Sequence, residues 1–284
     1  MAAVYSNLAG EPERALSEIG AVASIWRYPV KSMMGDELDS SMVSEHGLMG
    51  DRAYALQEVA TGRIVSAKNP KRFGKLLEFK ATFVDPPAWG QTPSVVMFSF
   101  PDGSLVRSDD PDVEAVLSEE VGTPVRLLIS ASEKYSYDEY WPDVEGRRHR
   151  GVVTTEPMPP RSFFDSSPVH IVTMATLARL RELHPQSRFE PRRFRPNLVV
   201  ETRPGAAEFV ENSWLGRALR VGGARLRATK LCARCVMTTL PQGDLLQDVD
   251  VLRTAVVGNR ANVGAYATVE QPGVVRKGDL VWLE

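Results

Sequence analysis

Cys232 and Cys235 stand three residues apart in the stretch Ala228-Thr229-Lys230-Leu231-Cys232-Ala233-Arg234-Cys235-Val236-Met237-Thr238-Thr239, and they are the two cysteines of a 284-residue chain. A thiolate is a soft ligand for a transition metal, and the neighbouring Lys230 and Arg234 favour ionisation and hold anions. The combination suggests a bound group that is part metal and part anion. Taken alone, the Cys-x-x-Cys spacing also reads as half of a zinc site, a thioredoxin-type couple or two semi-buried thiols on a strand.

Other residues invite the same chemistry. Lys31-Ser32 follows a proline-ended strand and offers a cation and a hydroxyl where a loop could meet a phosphate, or it is a solvated strand end. Asp51-Arg52 is an ion pair or an arginine fork presented to an anion. The densest basic cluster is Pro191-Arg192-Arg193-Phe194-Arg195-Pro196. Read as a strand, its alternation sends Arg193, Arg195 and Asn197 to one side, able to hold one anionic ligand. Arg147-Arg148-His149-Arg150 has no aromatic ladder or recognised module beside it, so nucleic acid is not expected. His46, His149, His170 and His184 are scattered and form no metal-ligand cluster in the sequence.

These residues need elements to position them. Strands are expected at 22–28, where Pro29 ends the ladder, and at 37–43, 53–58, 76–84, 94–100, 104–108 and 125–129. Thr61-Gly62-Arg63 and Pro101-Asp102-Gly103 supply turns. Val113, Val116, Leu117 and Val121 fall at helical spacing over 111–121. Residues 131–167 show little periodicity, which reads as a functional loop or linker. Beyond it, a strand at 169–173 leads into a helix at 174–183 with Leu177, Leu180 and Leu183 on one face. Strands at 197–201, 219–221 and 224–228 follow, the last two joined at Gly222-Gly223. A helix at 248–257 and strands at 263–269 and 279–283 close the chain. The expected fold class is mainly β with peripheral helices, built as barrel-like β domains. Residues 1–18 read as a loose lead-in, 19–131 as one domain, 132–167 as a connecting segment and 168–284 as a second domain.

Composition narrows the function classes. Thirty-four Lys and Arg against 36 Asp and Glu leave a formal charge of −2, so no global field draws the chain to nucleic acid or to an anionic membrane. No apolar run is long enough to span a bilayer, and the N-terminus lacks a basic and then apolar leader, so a cytoplasmic address is expected. Two cysteines so close together cannot frame a secreted disulfide fold.

Tyr28-Pro29-Val30-Lys31-Ser32, Gly47-Leu48-Met49-Gly50-Asp51-Arg52, Arg193-Phe194-Arg195-Pro196-Asn197-Leu198-Val199-Val200, Cys232-Ala233-Arg234-Cys235-Val236-Met237-Thr238-Thr239 and Gly264-Ala265-Tyr266 occur in the order typical of MOSC-domain proteins. Over about residues 19–284 the chain resembles that family, in particular its mitochondrial amidoxime-reducing type and bacterial relatives. The resemblance implies an N-terminal MOSC β-barrel domain, a C-terminal MOSC domain and a molybdenum cofactor between them, a pterin dithiolene with a terminal phosphate. It implies Cys235 as molybdenum ligand and catalytic centre, with Lys31, Ser32, Arg52, Arg195 and Asn197 on the pterin and phosphate. Tyr266 would line the cofactor, and Thr173 and Arg234 would lie near its contacts. Cys232 is not the ligand in the family. Pyridoxal phosphate binding is a further association of such proteins. The implied activity is reduction of small N-hydroxylated compounds such as amidoximes, hydroxylamines or N-hydroxylated bases. Electrons would come from a separate donor protein of flavoprotein, ferredoxin or cytochrome type, because the iron-sulfur domain of some bacterial relatives is not in this sequence. Other readings of the family are a sulfur carrier or transferase with a Cys235 persulfide, and a cofactor delivery protein. Relatives usually continue after the double threonine with Asp-Pro and then Thr-Gly, whereas this chain has Leu240-Pro241-Gln242-Gly243-Asp244.

Overall fold

The computed structural model describes residues 16–88, 94–129, 134–146, 149–160 and 162–284. Most of the expected lead-in therefore lies outside the described residues. Strand β1 (Ser17–Arg27) opens the fold, followed by β2 (Asp36–Leu38), β3 (Ser40–Ser44) and β4 (Gly47–Leu48). A second group comprises β5 (Tyr54–Glu58), α1 (Pro70–Phe73), β6 (Lys80–Phe83), β7 (Val96–Ser99), β8 (Leu105–Arg107), α2 (Val113–Val121), β9 (Val125–Ile129), β10 (Ser136–Trp141) and β11 (Val152–Pro157). Then come β12 (Val169–Thr173), α3 (Met174–Leu183), α4 (Pro191–Phe194), β13 (Leu198–Thr202), β14 (Ala218–Val221), β15 (Ala224–Ala233), α5 (Asp250–Asn259), β16 (Asn262–Gln271), β17 (Gly273–Arg276) and β18 (Leu280–Leu283).

The main sheet runs β13-β12-β16-β15-β14-β18-β1, and β1 returns to pair with β13, so seven strands close into a barrel; β2 hangs on β1. The closing stave thus comes from the start of the chain. Val22 and Ile25 of β1 join Ile171, Leu198, Leu226, Ala265 and Val281 in the barrel core. Each of the valine, isoleucine and leucine side chains contributes about 1.5–3 kcal/mol by leaving water. Where β1 crosses between its two neighbours the register shifts at Gly20, and a Cβ there would lie 2.0 Å from the Glu201 carbonyl oxygen. Glycine permits that approach. Helices α3 and α5 pack outside the barrel through Leu177, Leu180, Val251 and Ala255, over Val172, Phe194 and Val263. Leu183, expected on the same face, is exposed.

The second group forms short sheets, β5-β9, β6-β7-β8 and β10-β11, around a core that includes Tyr54, Leu77, Phe79, Phe98 and Leu117. Cys235, Val236, Met237 and Leu240 join this same core. The chain therefore leaves the barrel along β15 and inserts its next residues into the neighbouring body. The cysteine stretch marks the seam.

Two local expectations are corrected. The aperiodic 131–167 segment contains the β10-β11 hairpin. Tyr137 and Glu139 of β10 are buried, and Glu139 meets Lys68 at 3.1 Å, so an acid occupies an inward position and hides the alternation. The expected strand at 76–84 begins instead as a 3-10 turn, Gly74–Glu78, because the adjacent Leu76 and Leu77 are both buried.

Candidate functional site

Three chain reversals deliver the first side chains. After Pro29, Val30 bridges to Tyr54 and the Lys31 amide donates to the Tyr54 carbonyl at 2.9 Å. Ser32 then takes φ 65°, Arg52 takes φ 49° at the turn before β5, and Arg195 takes φ 52° where it ends α4. These are three of the six left-handed non-glycine residues among the described residues. Each costs about 1–2 kcal/mol in backbone strain, of the kind that concentrates at functional sites.

Lys31, Ser32, Arg52, Arg195, Asn197, Arg234, Cys235 and Tyr266 line one cavity at the seam. Thr173 is not among its lining. It is fully buried, its hydroxyl accepting from the Thr176 amide at 3.1 Å and donating to Glu211 at 2.9 Å; its hydroxyl is committed to the start of α3. Arg147 and Arg148 lie outside the described residues. Lys68, Asp165 and His170 also line the cavity. Nothing in their sequence context singles them out: Asp165 sits in the aperiodic segment, and His170 is a lone histidine on an apolar strand. The pairing of His170 with Tyr266 across β12 and β16 puts their rings 5.4 Å apart.

The basic cluster is arranged differently from a strand. Pro191–Phe194 is a helical turn, so Arg193 points away from Arg195. The buried Arg193 guanidinium donates to the carbonyls of Thr238 and Leu240 at 3.3 Å and of Leu246 at 2.8 Å. It fixes the segment that follows Cys235. Arg192 pairs with Glu190 at 2.9 Å and with Asp244 at 2.5 Å, anchoring the altered loop after the double threonine.

Cations dominate the cavity. Asp165 forms ion pairs with Lys31 and, at 3.4 Å, with Lys68. Burial alone would raise its carboxyl, but Lys31 and Lys68 hold it well below the usual carboxylate range. Lys31 also donates to the Phe163 carbonyl at 3.0 Å. Asp51 pairs with Arg52 and accepts from the Tyr28 amide at 2.8 Å and from Asn197 Nδ2 at 2.9 Å. The Arg52 and Arg195 guanidiniums approach the Tyr28 ring at 4.5 and 4.2 Å. Arg195 donates to the Met33 carbonyl at 2.6 Å, and burial, followed by the charge of Arg52, lowers its pKa to about 10. Arg234 donates to the Phe194 carbonyl at 2.8 Å and to the Cys232 sulfur, while its buried Nε has no partner. Among the described residues Arg195 has no carboxylate partner and Arg234 meets the Cys232 sulfur instead of a carboxylate, so the Arg195 side of the cavity carries positive charge that an anionic ligand would neutralise.

The two thiols, both unpaired, differ. Cys235 lines the cavity and Cys232 does not. Burial lifts the Cys235 thiol to about 11, against the opposing charge of Lys68, so at neutral pH it keeps its proton until a metal replaces it. Burial would also raise Cys232, but Arg234 and His170 outweigh it and pull the thiol down. Among the described residues no group of three or more His, Cys, Asp or Glu side chains is placed to hold a metal, so a four-ligand zinc site lacks its ligands.

Two family models match successive parts of this chain. Residues 19–109 match the MOSC N-terminal beta barrel domain and residues 158–282 match the MOSC domain, and the chain belongs to that family. It is similar to mitochondrial amidoxime-reducing component 1 of Homo sapiens, 25% identical over 95% of this chain and 85% of that protein. It is also similar to the molybdenum cofactor sulfurase of Oryza sativa subsp. japonica, 26% identical over 85% of this chain and 31% of that protein. Among solved structures, the YUAD protein from Bacillus subtilis aligns over 95% of this chain and 97% of that one, with 12% identity and a TM-score of 0.44. Among the described residues no helix is long and apolar enough to cross a membrane.

Proposed function

We propose that this chain is a molybdenum-cofactor-dependent reductase of N-hydroxylated compounds. One observation carries the reading: a buried thiol, Cys235, stands in a cavity lined by Lys31, Lys68, Arg52, Arg195 and Arg234, with Asp165 its one acid among the described residues. The donor set fits a molybdenum-pterin phosphate, a soft metal bearing an anion. Cys235 would supply the metal thiolate. Lys31, Ser32, Arg52, Arg195 and Asn197 would hold the pterin and its phosphate, with Arg234 and Tyr266 lining it. The free space among these side chains is about 70 Å³, less than a pterin fills, so loading would have to part the lining side chains as well as displace Asp165 from Lys31.

The bound group would supply the two electrons that reduce N–OH to N–H, with two protons taken up and water released. The chain's residues orient and shield. Lys68 favours the thiolate form of Cys235, Arg193 fixes the segment beyond it, and Phe163 and Phe164 give the cavity an apolar side. Electrons would come from a separate flavoprotein, ferredoxin or cytochrome, in a reducing compartment such as the cytoplasm that suits two free thiols.

The test is anaerobic reduction of benzamidoxime and hydroxylamine by molybdenum-loaded protein with reduced methyl viologen. Viologen oxidation that depends on substrate supports the reading. Loaded protein that oxidises none contradicts it. The likeness to a sulfurase supports a second reading, a Cys235 persulfide, which predicts sulfide release on reduction from protein without molybdenum.

A further inference from the structure

A second cavity of about 490 Å³ adjoins the first and shares Arg52, Phe163, Phe164, Ser166 and Ser167 with it. Its chemistry is the opposite. Leu48, Met49, Ala53, Pro159, Pro160 and Pro168 form half of the remaining wall, with Ser44, His46 and Ser162 among the rest. Asp51 and Arg52 reach it as an ion pair, and the other charged residue, Glu45, is exposed beside His46. A benzene-sized guest needs only roughly 150 Å³ of apolar space. Phe163 on the partition is held from the polar side, its carbonyl accepting from Lys31 at 3.0 Å. Prolines on the far wall restrict the backbone, so seating a guest there orders little chain.

We propose that this second cavity seats the aryl or alkyl part of the N-hydroxylated substrate, whose polar end lies beside Cys235 in the first cavity. The assignment rests on the reductase reading of that first cavity. Hydrocarbon placed among Lys31, Lys68 and Arg195 would strip water from charges without replacing it, whereas the Met49 side asks nothing polar of its guest. The enzyme therefore prefers N-hydroxylated compounds carrying an apolar group, and the residues of the Met49 wall set that preference.

The experiment compares kcat/KM for benzamidoxime with that for hydroxylamine, which has no apolar group, in wild type, Met49→Lys and Met49→Trp. Molybdenum and pterin are measured on each sample, and saturation-transfer NMR follows the benzamidoxime ring protons. The expected result is a preference for benzamidoxime that falls at least tenfold in both variants at retained molybdenum and pterin. An unchanged ratio overturns the proposal, as does loss of pterin from both variants, which would give the cavity to the cofactor. If the loaded wild type reduces neither compound, the reductase reading fails on its own. The NMR then still decides the cavity: ring saturation abolished by Met49→Lys supports it, and ring saturation unaffected by the substitution sinks it.

Discussion

Burial raises the Cys235 thiol, whereas Arg234 and His170 lower that of Cys232, and of the two sulfurs it is Cys235 that lines the cavity. Cys235→Ser is expected to remove most of the molybdenum and cut turnover more than hundredfold, by analogy with the 10–100-fold cost of merely disturbing a supporting residue. Cys232→Ser is expected to keep the metal, because its sulfur meets Arg234 and not the cavity. Equal molybdenum loss from both would return the dithiol reading. Asp165 gives a pH signature. Its folded pKa lies below the unfolded value of about 3.9, so the stability it contributes is complete above that value and is lost as pH falls through the folded one. Asp165→Asn is therefore expected to cost about 2 kcal/mol at pH 7, less than a fully buried pair because its side chain is 31% exposed. Denaturant melts at pH 7 and pH 2 check this: the gap to wild type narrows at the lower pH, and a constant gap contradicts it. That Cys235, Lys31, Arg52 and Arg195 line one cavity followed from the motif order of the family resemblance, since Lys31-Ser32 or Asp51-Arg52 alone reads equally as a strand end or an ordinary ion pair. Asp165 and Lys68 were not legible, since a buried ion pair looks like surface charge until both partners are placed.

Among the elements, backbone conformation separates site from scaffold. Arg260 ends α5 at φ 51°, a position glycine occupies without strain. Arg260→Gly is expected to stabilise by about 0.5–1 kcal/mol, read as a rise of about 1–4 °C in melting temperature. Gly264 is the opposite case, for a Cβ there would lie 2.4 Å from the Ile171 carbonyl oxygen and 2.6 Å from His170 Nε2. Gly264→Ala is expected to destabilise by about 1–3 kcal/mol and to shift the His170 ring signals, which a purely remote loss of stability would not do. The helix over 174–183 and the strand over 125–129 were readable from periodicity and coincide with α3 and β9. The β10-β11 hairpin was hidden by its inward Glu139. The turn that carries Arg193 and Arg195 was misread as a strand, because prolines at 191 and 196 fit either, and only the left-handed Arg195 decides which guanidinium faces the cavity.

For the whole molecule, the seam joins two bodies through the inserted Cys235–Leu240 segment and a set of polar contacts. Asp51 takes hydrogen bonds from Tyr28, Arg52 and Asn197, and Arg195 reaches the Met33 carbonyl. The barrel closed by β1 could not be read from sequence, since pairing of the first strand with β13 and β18 is a contact between distant parts of the chain. A ligand held by both bodies stabilises their union. Protein saturated to about 100 times the dissociation constant gains about 2.7 kcal/mol, and cofactor-loaded protein is expected to melt higher and in one transition. Two separate transitions in the loaded state would deny the coupling. The most direct test of the central claim is molybdenum and pterin content per chain, by elemental analysis and fluorescence of the oxidised pterin, on wild type and Cys235→Ser from a host that makes the cofactor. The account predicts near-stoichiometric molybdenum and pterin in wild type and little molybdenum in the variant. Wild type devoid of both, with labile sulfur on Cys235 instead, would contradict it.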